Sequence, residues 1–244
     1  MKGRKSAAAF WNARAQSYDR RLSALPAAYR DLLPRCRALL KRSDRLLDLG
    51  CGSGQAACVL AGAVRSVQAC DLAPNMLDIA AAHARERDIP NITFSLQDAA
   101  ALDFADEAFD AALSLAVVHL MDHPDQAMAE LRRVIRPGGL LFLSAYLAGQ
   151  SALSRAGNAL MSLGGYRDPQ RWNAGSFRGF VEGLRYAAAC MLVFSVSFAF
   201  CDVKFCRKSW FMPAVAAAMD GITGFVYLSD VAWRPAQVVF SVSF

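Results

Sequence analysis

The feature that most constrains the fold is a glycine-rich segment directly after a short apolar stretch. Leu47-Asp48-Leu49 leads into Gly50-Cys51-Gly52-Ser53-Gly54, and a helix-compatible stretch follows over residues 55–60. An apolar strand, a glycine turn and a helix form the first unit of an α/β domain with a parallel sheet. Glycines allow positive φ and a close approach of ligand to backbone. In such domains ligands bind at the carboxyl ends of the strands, where this turn would lie.

The alternation of strands and helices continues to residue 146. Helices are predicted over residues 6–20 and 27–42, with Pro26 between them, and again over 75–87 and 125–135. Further strands are predicted over residues 66–70, 92–96, 108–115 and 140–146, with Pro137-Gly138-Gly139 as a turn before the last of these. Alternating strands and helices predict right-handed βαβ units and a mainly parallel sheet.

The C-terminal part of the sequence has a different pattern. The strand–helix rhythm weakens over residues 147–189, and residues 191–200 and 237–244 alternate apolar and small polar side chains. This alternation favours an antiparallel pair of strands at one end of the sheet. The predicted fold class is therefore α/β: a Rossmann-like, mainly parallel sheet of seven strands, with helices on both faces and an antiparallel last strand.

Two carboxylates stand where a nucleoside ligand would need them. Asp71 ends the second predicted strand, where an acidic side chain can accept hydrogen bonds from ribose hydroxyls. Asp98 follows the third strand, where it can accept from an adenine amine. Each residue has a structural alternative, as a helix cap or as a turn residue. Gln55 occupies the third glycine position of a dinucleotide fingerprint, so the turn is Gly-x-Gly-x-Gly and NAD is disfavoured.

As a set, these segments carry a family resemblance over about residues 10–146. The chain resembles class I S-adenosylmethionine-dependent methyltransferases, in the branch similar to quinone and small-molecule methyltransferases. The resemblance rests on Leu46 to Gly54, on Asp71 followed by Pro74-Asn75-Met76-Leu77, on Asp98, on Phe109-Asp110, on Leu131 to Gly139, and on Tyr18-Asp19 near the start of the chain.

The resemblance implies a set of residues that bind S-adenosylmethionine. Gly50, Cys51 and Gly52 would lie under the methionine portion, which Asp48 would help to hold. Other residues would contact the nucleoside, the methionine end or the open side of the cofactor: Asp71 and Leu72 at the ribose, Met76, Asp98 and Ala99 at the adenine, Ala116 at the methionine end, and Tyr18 closing over the ligand.

We expect the single domain to have three parts, of which the resemblance covers the first two. Residues 1–43 would be N-terminal helices that form a lid on the cofactor, residues 44–146 the cofactor-binding core, and residues 147–244 the cover of the acceptor site with the last two strands. Arginine and aromatic side chains in residues 147–189 could hold a planar anionic substrate, or could be ordinary helix surface. The aromatic residues between 210 and 227 are expected in the core or an interface.

A catalytic base is required only when the methyl acceptor must lose a proton. His119 follows the fourth predicted strand, at the edge where the cofactor should lie, and an ordinary imidazole pKa near 6.5 suits a base at neutral pH. His119 is therefore the candidate catalytic residue; the alternative is a structural histidine. Ser114-Leu115-Ala116-Val117 stands where amino-group methyltransferases of adenine or glutamine carry an Asn-Pro-Pro-Tyr-like motif, which disfavours that chemistry.

Charge and cysteine content limit the partners and the location. Residues 1–43 hold 11 Lys and Arg against Asp19 and Asp31, a net +9, whereas residues 44–146 have a net charge of −7. The basic segment could face an anionic partner or could pack on the acidic core. Seven cysteines without Cys-x-x-Cys spacing predict reduced thiols in the cytoplasm and no metal site. No apolar run reaches the length of about 20 residues that crosses a bilayer.

The sequence thus predicts an enzyme that transfers a methyl group from S-adenosylmethionine to a small organic acceptor, with O- or C-methylation favoured. Two alternatives stay open: a nucleic-acid (RNA) methyltransferase, suggested by the basic N-terminal segment, and a protein that binds the cofactor without catalysis. A homodimer is also compatible with the sequence.

Overall fold

The structure, a computed structural model, describes residues 2–22, 27–149, 152–183, 190–196 and 238–241. Seven α-helices and seven strands lie in these ranges. The helices are α1 Lys2–Leu22, α2 Ala27–Leu39, α3 Gln55–Leu60, α4 Pro74–Glu86, α5 Pro124–Val134, α6 Ala152–Leu163 and α7 Ala174–Gly183. The strands are β1 Arg45–Leu49, β2 Ser66–Asp71, β3 Ile92–Leu96, β4 Phe109–Leu115, β5 Ile135–Tyr146, β6 Cys190–Val196 and β7 Val238–Ser241.

The strands form one sheet in the order β3-β2-β1-β4-β5-β6-β7. From β1 the chain moves outward to β2 and β3, then crosses to the other side of β1 and continues outward from β4. The strand order therefore reverses between β1 and β4, and their carboxyl ends border the crevice where α/β sheets bind ligands. Gly50 follows β1 at this point, and Ala116 follows β4.

The predicted Rossmann-like α/β fold with a parallel sheet is confirmed, but the antiparallel last strand is wrong. Strands β1 to β5, whose side-chain surroundings are described, all pair in parallel. The pairings of β5 with β6 and of β6 with β7 are parallel too. Residues 197–237 separate β6 from β7 and easily exceed the dozen or so residues that a parallel crossover needs. Alternation of side chains predicts a strand and carries no information on its direction.

The predicted turn at Pro137-Gly138-Gly139 lies inside β5. The pairing with β4 shifts register there, from Phe109 opposite Ile135 to Ala111 opposite Leu140. Gly138 has φ +73°, and a Cβ on Gly139 would come within 2.7 Å of the Asp110 carbonyl oxygen. The three residues thus make an irregularity within one strand, whereas the sequence predicted a turn that precedes the strand.

Two apolar clusters cover the two faces of the sheet. One joins Leu46 of β1 to side chains of α2 and α3, and the other joins Leu47 of β1 to side chains of α5 and α7. Neighbouring residues of β1 thus point to opposite faces, as a strand requires. A smaller third cluster contains Ala15 of α1 and Met76 of α4. Most of β1 is buried on both sides, which explains its nearly continuous apolar sequence.

Helix α1 lies on α4 and is held there by polar contacts as well as by the third cluster. The backbone N–H of Asn75 donates to Oδ1 of Asn12 at 2.8 Å, and the Asn75 side chain donates to the Asn12 carbonyl oxygen at 3.1 Å. Nε2 of His83 lies 3.3 Å from Oδ2 of Asp19. These contacts place the N-terminal helix beside the switch point of the sheet. The predictions for residues 210–227 fall outside the described residues.

Candidate functional site

The glycine turn between β1 and α3 has the backbone geometry that its sequence requires. Gly50, Gly52 and Gly54 have φ values of +73°, +53° and +78°. The N–H groups of Gly50 and Cys51 donate to the carbonyl oxygen of Cys70 at 2.8 and 3.0 Å, which ties the turn to β2. A Cβ on Gly50 would lie 2.5 Å from a methyl carbon of Val117. The loop after β4 therefore packs directly on the turn.

Asp71 joins the glycine turn to the loop after β2. Its Oδ2 accepts from the Gly52 N–H and its Oδ1 from the Ala73 N–H, each at 2.9 Å. Burial raises the pKa of Asp71, against the lowering effect of these backbone bonds. Ala73 is the N-cap of α4 and the cap has no side-chain hydrogen bond, so the helix-cap alternative for Asp71 does not describe this contact. Leu72 lies partly buried between Asp71 and Ala73.

Asp48 is a nearly inaccessible carboxylate below the turn. It is 2% exposed, and its Oδ2 has no hydrogen-bond partner among the described residues. Burial and, secondarily, the charge of Asp71 raise the pKa of Asp48 to about 7, while a hydrogen bond from the Ala57 backbone acts in the opposite direction. The end of β1 therefore carries an acidic site that a nearby positive charge would stabilise.

The remaining predicted cofactor residues lie on the neighbouring loops. Asp98 is two residues beyond β3, and its Oδ1 accepts from the Ala100 N–H at 3.0 Å; Ala99 is partly buried beside it. Met76 is buried in the first turn of α4. Ala116 has φ +56°, and its N–H donates to both the carbonyl and the hydroxyl oxygen of Ser144. The ends of β1 to β4 thus bring these positions to one edge of the sheet.

Helix α1 brings an aromatic side chain onto the glycine turn. A Cβ built on Gly52 would lie 3.3 Å from Cε1 and 3.7 Å from the hydroxyl oxygen of Tyr18. The Tyr18 ring contacts Trp11 edge to face, at 5.6 Å between ring centroids. Tyr18 therefore lies on the glycine turn, and the expectation that it closes over a cofactor stays a prediction.

His119 is buried just beyond the end of β4 and is not an exposed base. It lies in the 3-10 turn Val118–Leu120 and is 3% exposed. Its Nε2 is 3.2 Å from the Tyr166 hydroxyl, and its Nδ1 accepts from the Tyr146 N–H at 3.4 Å. Burial lowers its pKa to about 3, so the expected ordinary pKa near 6.5 is wrong for this environment.

Two residues of this region were not singled out by the sequence. Tyr166 appeared only among the aromatic residues of segment 147–189, and Asp168 carried no signal at all. Asp168 is 6% exposed, with Oδ1 accepting from the Arg171 N–H at 3.0 Å. Both side chains lie in the loop between α6 and α7, and only the fold brings that loop to the end of β4.

Metal ligands, thiols and membrane-spanning helices are the remaining features on which the sequence made predictions. Within the described ranges no group of three or more His, Cys, Asp or Glu side chains is arranged to hold a metal ion. Cys36, Cys51, Cys58 and Cys70 are free thiols. None of the helices described is both long and apolar enough to span a bilayer.

Comparison with known proteins identifies the domain. Residues 47–143 match the family described as "Methyltransferase domain". The malonyl-[acyl-carrier protein] O-methyltransferase of Serratia marcescens is 36% identical over 124 residues, which cover 51% of this chain and 46% of that protein. A ubiquinone/menaquinone biosynthesis C-methyltransferase of Zymomonas mobilis is 34% identical over 102 residues, 42% of each chain. The chain thus spans less than half the length of these curated relatives.

Solved structures agree with this match. A putative methyltransferase from Bacillus halodurans superposes with a TM-score of 0.56 at 25% identity, covering 62% of this chain and 66% of that one. The phosphoethanolamine N-methyltransferase 2 of Haemonchus contortus, solved in complex with S-adenosyl-L-methionine, has a TM-score of 0.60 at 21% identity. The match covers 71% of this chain and 41% of that one. At this identity the likeness supports the fold alone. Residues 47–143 are therefore similar to methyltransferase domains, and the fold is that of a solved putative methyltransferase.

Proposed function

We propose that this protein transfers the methyl group of S-adenosylmethionine to a small organic acceptor, with O- or C-methylation favoured. The observation that carries the proposal is the pair of acidic side chains, Asp48 and Asp71, at a glycine turn on the switch point of a parallel sheet. Asp48 retains a buried carboxylate oxygen without a partner in the described structure. A ligand that is cationic at its methionine end and carries a ribose fits this combination of charge and hydrogen-bonding groups.

Each of these residues would bind a different part of the cofactor, according to its position at the edge of the sheet. Backbone at Gly50, Cys51 and Gly52 lets the methionine portion approach closely, and Asp48 supplies the opposite charge beneath it. Asp71, which accepts from the Gly52 and Ala73 N–H groups, would accept from the ribose hydroxyls with its remaining lone pairs. Three residues after β3 and in the first turn of α4 would contact the nucleoside: Met76, Asp98 and Ala99. Ala116 meets the methionine end.

We propose a three-part organisation, which two contacts of the described residues support. Residues 1–43 act as the lid, because α1 already places Tyr18 on the glycine turn. Residues 44–146 form the cofactor-binding core. Residues 147–244 cover the acceptor, because the loop after α6 reaches the end of β4 through Tyr166. The oligomeric state, including a homodimer, and a cytoplasmic location stay predictions.

The chain's chemical task is mainly to position two reactants. The cofactor supplies a methyl group that its sulfonium already activates, so bringing the acceptor into line provides much of the rate. His119 stays neutral at physiological pH because its pKa is low. A neutral imidazole with both nitrogens engaged orients its neighbours, and we assign His119 that role beside the acceptor. If His119 instead removes a proton, the rate should stay constant around neutral pH and fall only as pH approaches its lowered pKa of about 3.

A small acceptor is preferred over nucleic acid because part of the basic N-terminal segment lies away from the reaction centre. Three exposed cations, Arg37, Lys41 and Arg42, stand at the C-terminal end of α2 or just after it. This end of α2 leads into the beginning of β1, whereas the glycine turn follows the end of β1. These three cations are therefore at the opposite edge of the sheet from the reaction centre, whereas the cations of α1 are on the helix that carries Tyr18. The relatives named above, which act on a malonyl-[acyl-carrier protein] and on ubiquinone or menaquinone precursors by name, also support a small acceptor group.

Calorimetry tests the cofactor assignment directly. S-adenosylmethionine and its demethylated product should both bind the purified full chain, and NAD should not. Mass spectrometry of the purified protein should detect retained cofactor or product. Binding of NAD without binding of S-adenosylmethionine would refute the proposal; cofactor binding without turnover of any acceptor would favour the non-catalytic alternative.

The RNA alternative requires a separate titration. If it held, mixed RNA or DNA would bind at physiological salt more tightly than the roughly micromolar or weaker affinity of common non-specific binding. We expect weaker binding that falls steeply with salt, since contacts to phosphate dominate such complexes. Affinity well below micromolar at about 150 mM salt would overturn the choice of acceptor.

A further inference from the structure

The hydrogen bonds around His119 fix the direction in which Tyr166 can donate. A backbone N–H only donates, so the Tyr146 N–H at 3.4 Å must meet a lone pair on Nδ1 of His119. The neutral ring then carries its hydrogen on Nε2, which donates to the Tyr166 hydroxyl oxygen at 3.2 Å. The Tyr166 hydroxyl therefore accepts from His119, and its own hydrogen is directed to a different group.

Asp168 supplies the complementary acceptor two residues further along the chain. Its Oδ1 is used by the Arg171 N–H, but its Oδ2 is buried and has no hydrogen-bond partner among the described residues. Asp168 and Tyr166 stand in the same loop, and burial and, secondarily, the charge of Asp168 raise the pKa of both Tyr146 and Tyr166. A buried carboxylate oxygen without a partner is costly, which makes this position a candidate for ligand contact.

Aromatic rings from α1 form the wall beside this polar pair. The rings of Phe10 and Trp11 each lie 6.4 Å from the Tyr166 ring, between centroids. Trp11 also contacts Tyr18, which lies on the glycine turn. A continuous row of aromatic side chains thus runs from the proposed methyl donor to the polar pair, and flat rings pack well against such a surface.

We infer that Asp168 and Tyr166 form an acceptor subsite that selects a planar molecule bearing a neutral hydroxyl group, a phenol or an enol. The inference rests on the proposed function and names its substrate class. One hydroxyl accepts from the Tyr166 O–H and donates to Oδ2 of Asp168, which satisfies both groups at once. An ammonium group has no lone pair for Tyr166, and a carboxylate would face the Asp168 charge. An apolar ring would leave Asp168 without a partner.

The test measures binding of two matched probes to the full chain, with and without S-adenosylhomocysteine, by ligand-observed NMR. 2-Naphthol carries the hydroxyl, and naphthalene has the same rings without it. We expect 2-naphthol to bind at least about tenfold more tightly, the effect of one good hydrogen-bond set. Equal affinity for the two probes, or no binding of 2-naphthol, would overturn the inference.

Variants test which residues cause the preference for 2-naphthol over naphthalene. Asp168→Asn replaces the acceptor at Oδ2 and should reduce the preference for 2-naphthol about tenfold. Tyr166→Phe keeps the ring and should reduce the same preference while leaving naphthalene unaffected. Asp122→Asn removes a nearby exposed carboxylate that pairs with Arg167 at 3.3 Å, and should change neither probe. If Asp168→Asn does not fold by circular dichroism, Tyr166→Phe decides; an unchanged preference there refutes the subsite.

Calorimetry with S-adenosylmethionine on the same samples separates the two proposals. Discrimination of the probes without cofactor binding would leave the subsite standing and refute the proposed function. Cofactor binding together with equal affinity for the two probes would support the proposed function and refute the subsite.

Discussion

The buried carboxylate of Asp48 should destabilise the ligand-free protein at pH 8, and Asp48→Asn should relieve the effect. The pKa of this group rises from 3.8 to about 7 on folding. At about 1.4 kcal/mol for each pKa unit, the ionised group costs the folded state about 4 kcal/mol above pH 7. Asparagine removes the charge but buries an amide without a partner, which costs about 1–3 kcal/mol. The expected net gain at pH 8 is therefore about 1–3 kcal/mol.

The pH dependence is the signature of this mechanism. A carboxyl whose folded-state pKa is raised holds its proton in the folded protein when the unfolded chain has already lost it. The free energy of unfolding of the native sequence should thus decline as pH rises from about 4 through about 7. Urea unfolding followed by circular dichroism at pH 5, 6.5 and 8 measures this. The advantage of Asp48→Asn should be largest at pH 8 and nearly absent at pH 5.

Asp110→Asn is the matched control, at the other edge of the sheet. Partial burial acts to raise the pKa of Asp110, but bonds from the Arg45 backbone and from the Arg136 and Arg45 guanidinium groups outweigh it and lower the pKa. Neutralising Asp110 should therefore destabilise the protein at pH 8. If Asp48→Asn is also destabilising at pH 8, or changes stability equally at pH 5 and pH 8, Asp48 is not a strained buried charge. The affinity of the Asp48→Asn variant for S-adenosylmethionine should fall tenfold or more, which is about the loss of one charged contact.

Three further variants test the site. Asp71→Ala should weaken S-adenosylmethionine binding by calorimetry roughly 10–100-fold, the effect of losing charged hydrogen bonds, and normal affinity in a folded variant would remove Asp71 from the site. Gly50→Ala should lower the free energy of unfolding by roughly 2–4 kcal/mol, because it adds strain at positive φ and a clash with Val117; Gly62→Ala, with no atom within 4 Å of its added Cβ, should be nearly neutral in the same urea titration. His119→Asn should leave cofactor affinity unchanged and lower turnover. Because burial lowers the pKa of His119 to about 3, the native protein should lose stability as pH falls from about 6.5 toward 3. The His119→Asn variant should lose less stability over this pH range. An equal loss of stability in the variant and the native protein would contradict the lowered pKa of His119.

The local pattern of the sequence was sufficient for the core of the fold. The strand at residues 92–96 and the helix at residues 55–60 have the predicted bounds, because each is a short apolar segment between clear turn residues. Direction and pairing were not predictable in the same way. The parallel β7 depends on a crossover remote from its own sequence, and the irregularity at Gly138 depends on its register with β4.

The candidate site, like the fold, was predictable from the sequence only in part. Asp48, Gly50 and Asp71 lie at or directly after the ends of two neighbouring parallel strands, so their positions in the sequence were sufficient to bring them together. The environment of His119 was not predictable, since its low pKa arises from burial by groups distant in the chain, including Tyr166. Asp168 was missed because an acidic residue in a loop is ordinary until the fold buries it.

The attachment of α1 has a consequence for hydrogen exchange. This helix lies at the edge of the domain and is held through α4 and the α6–α7 loop, whereas β1 is hydrogen-bonded on both sides in the middle of the sheet. Amides of α1 can therefore exchange by local opening that leaves the sheet intact. If Tyr18 covers a ligand on the glycine turn, as proposed, the ligand must wait for the same opening to leave. Protection of the α1 amides should then increase with ligand concentration through this local opening, and that of the β1 amides through the free energy of global unfolding, which the ligand also raises.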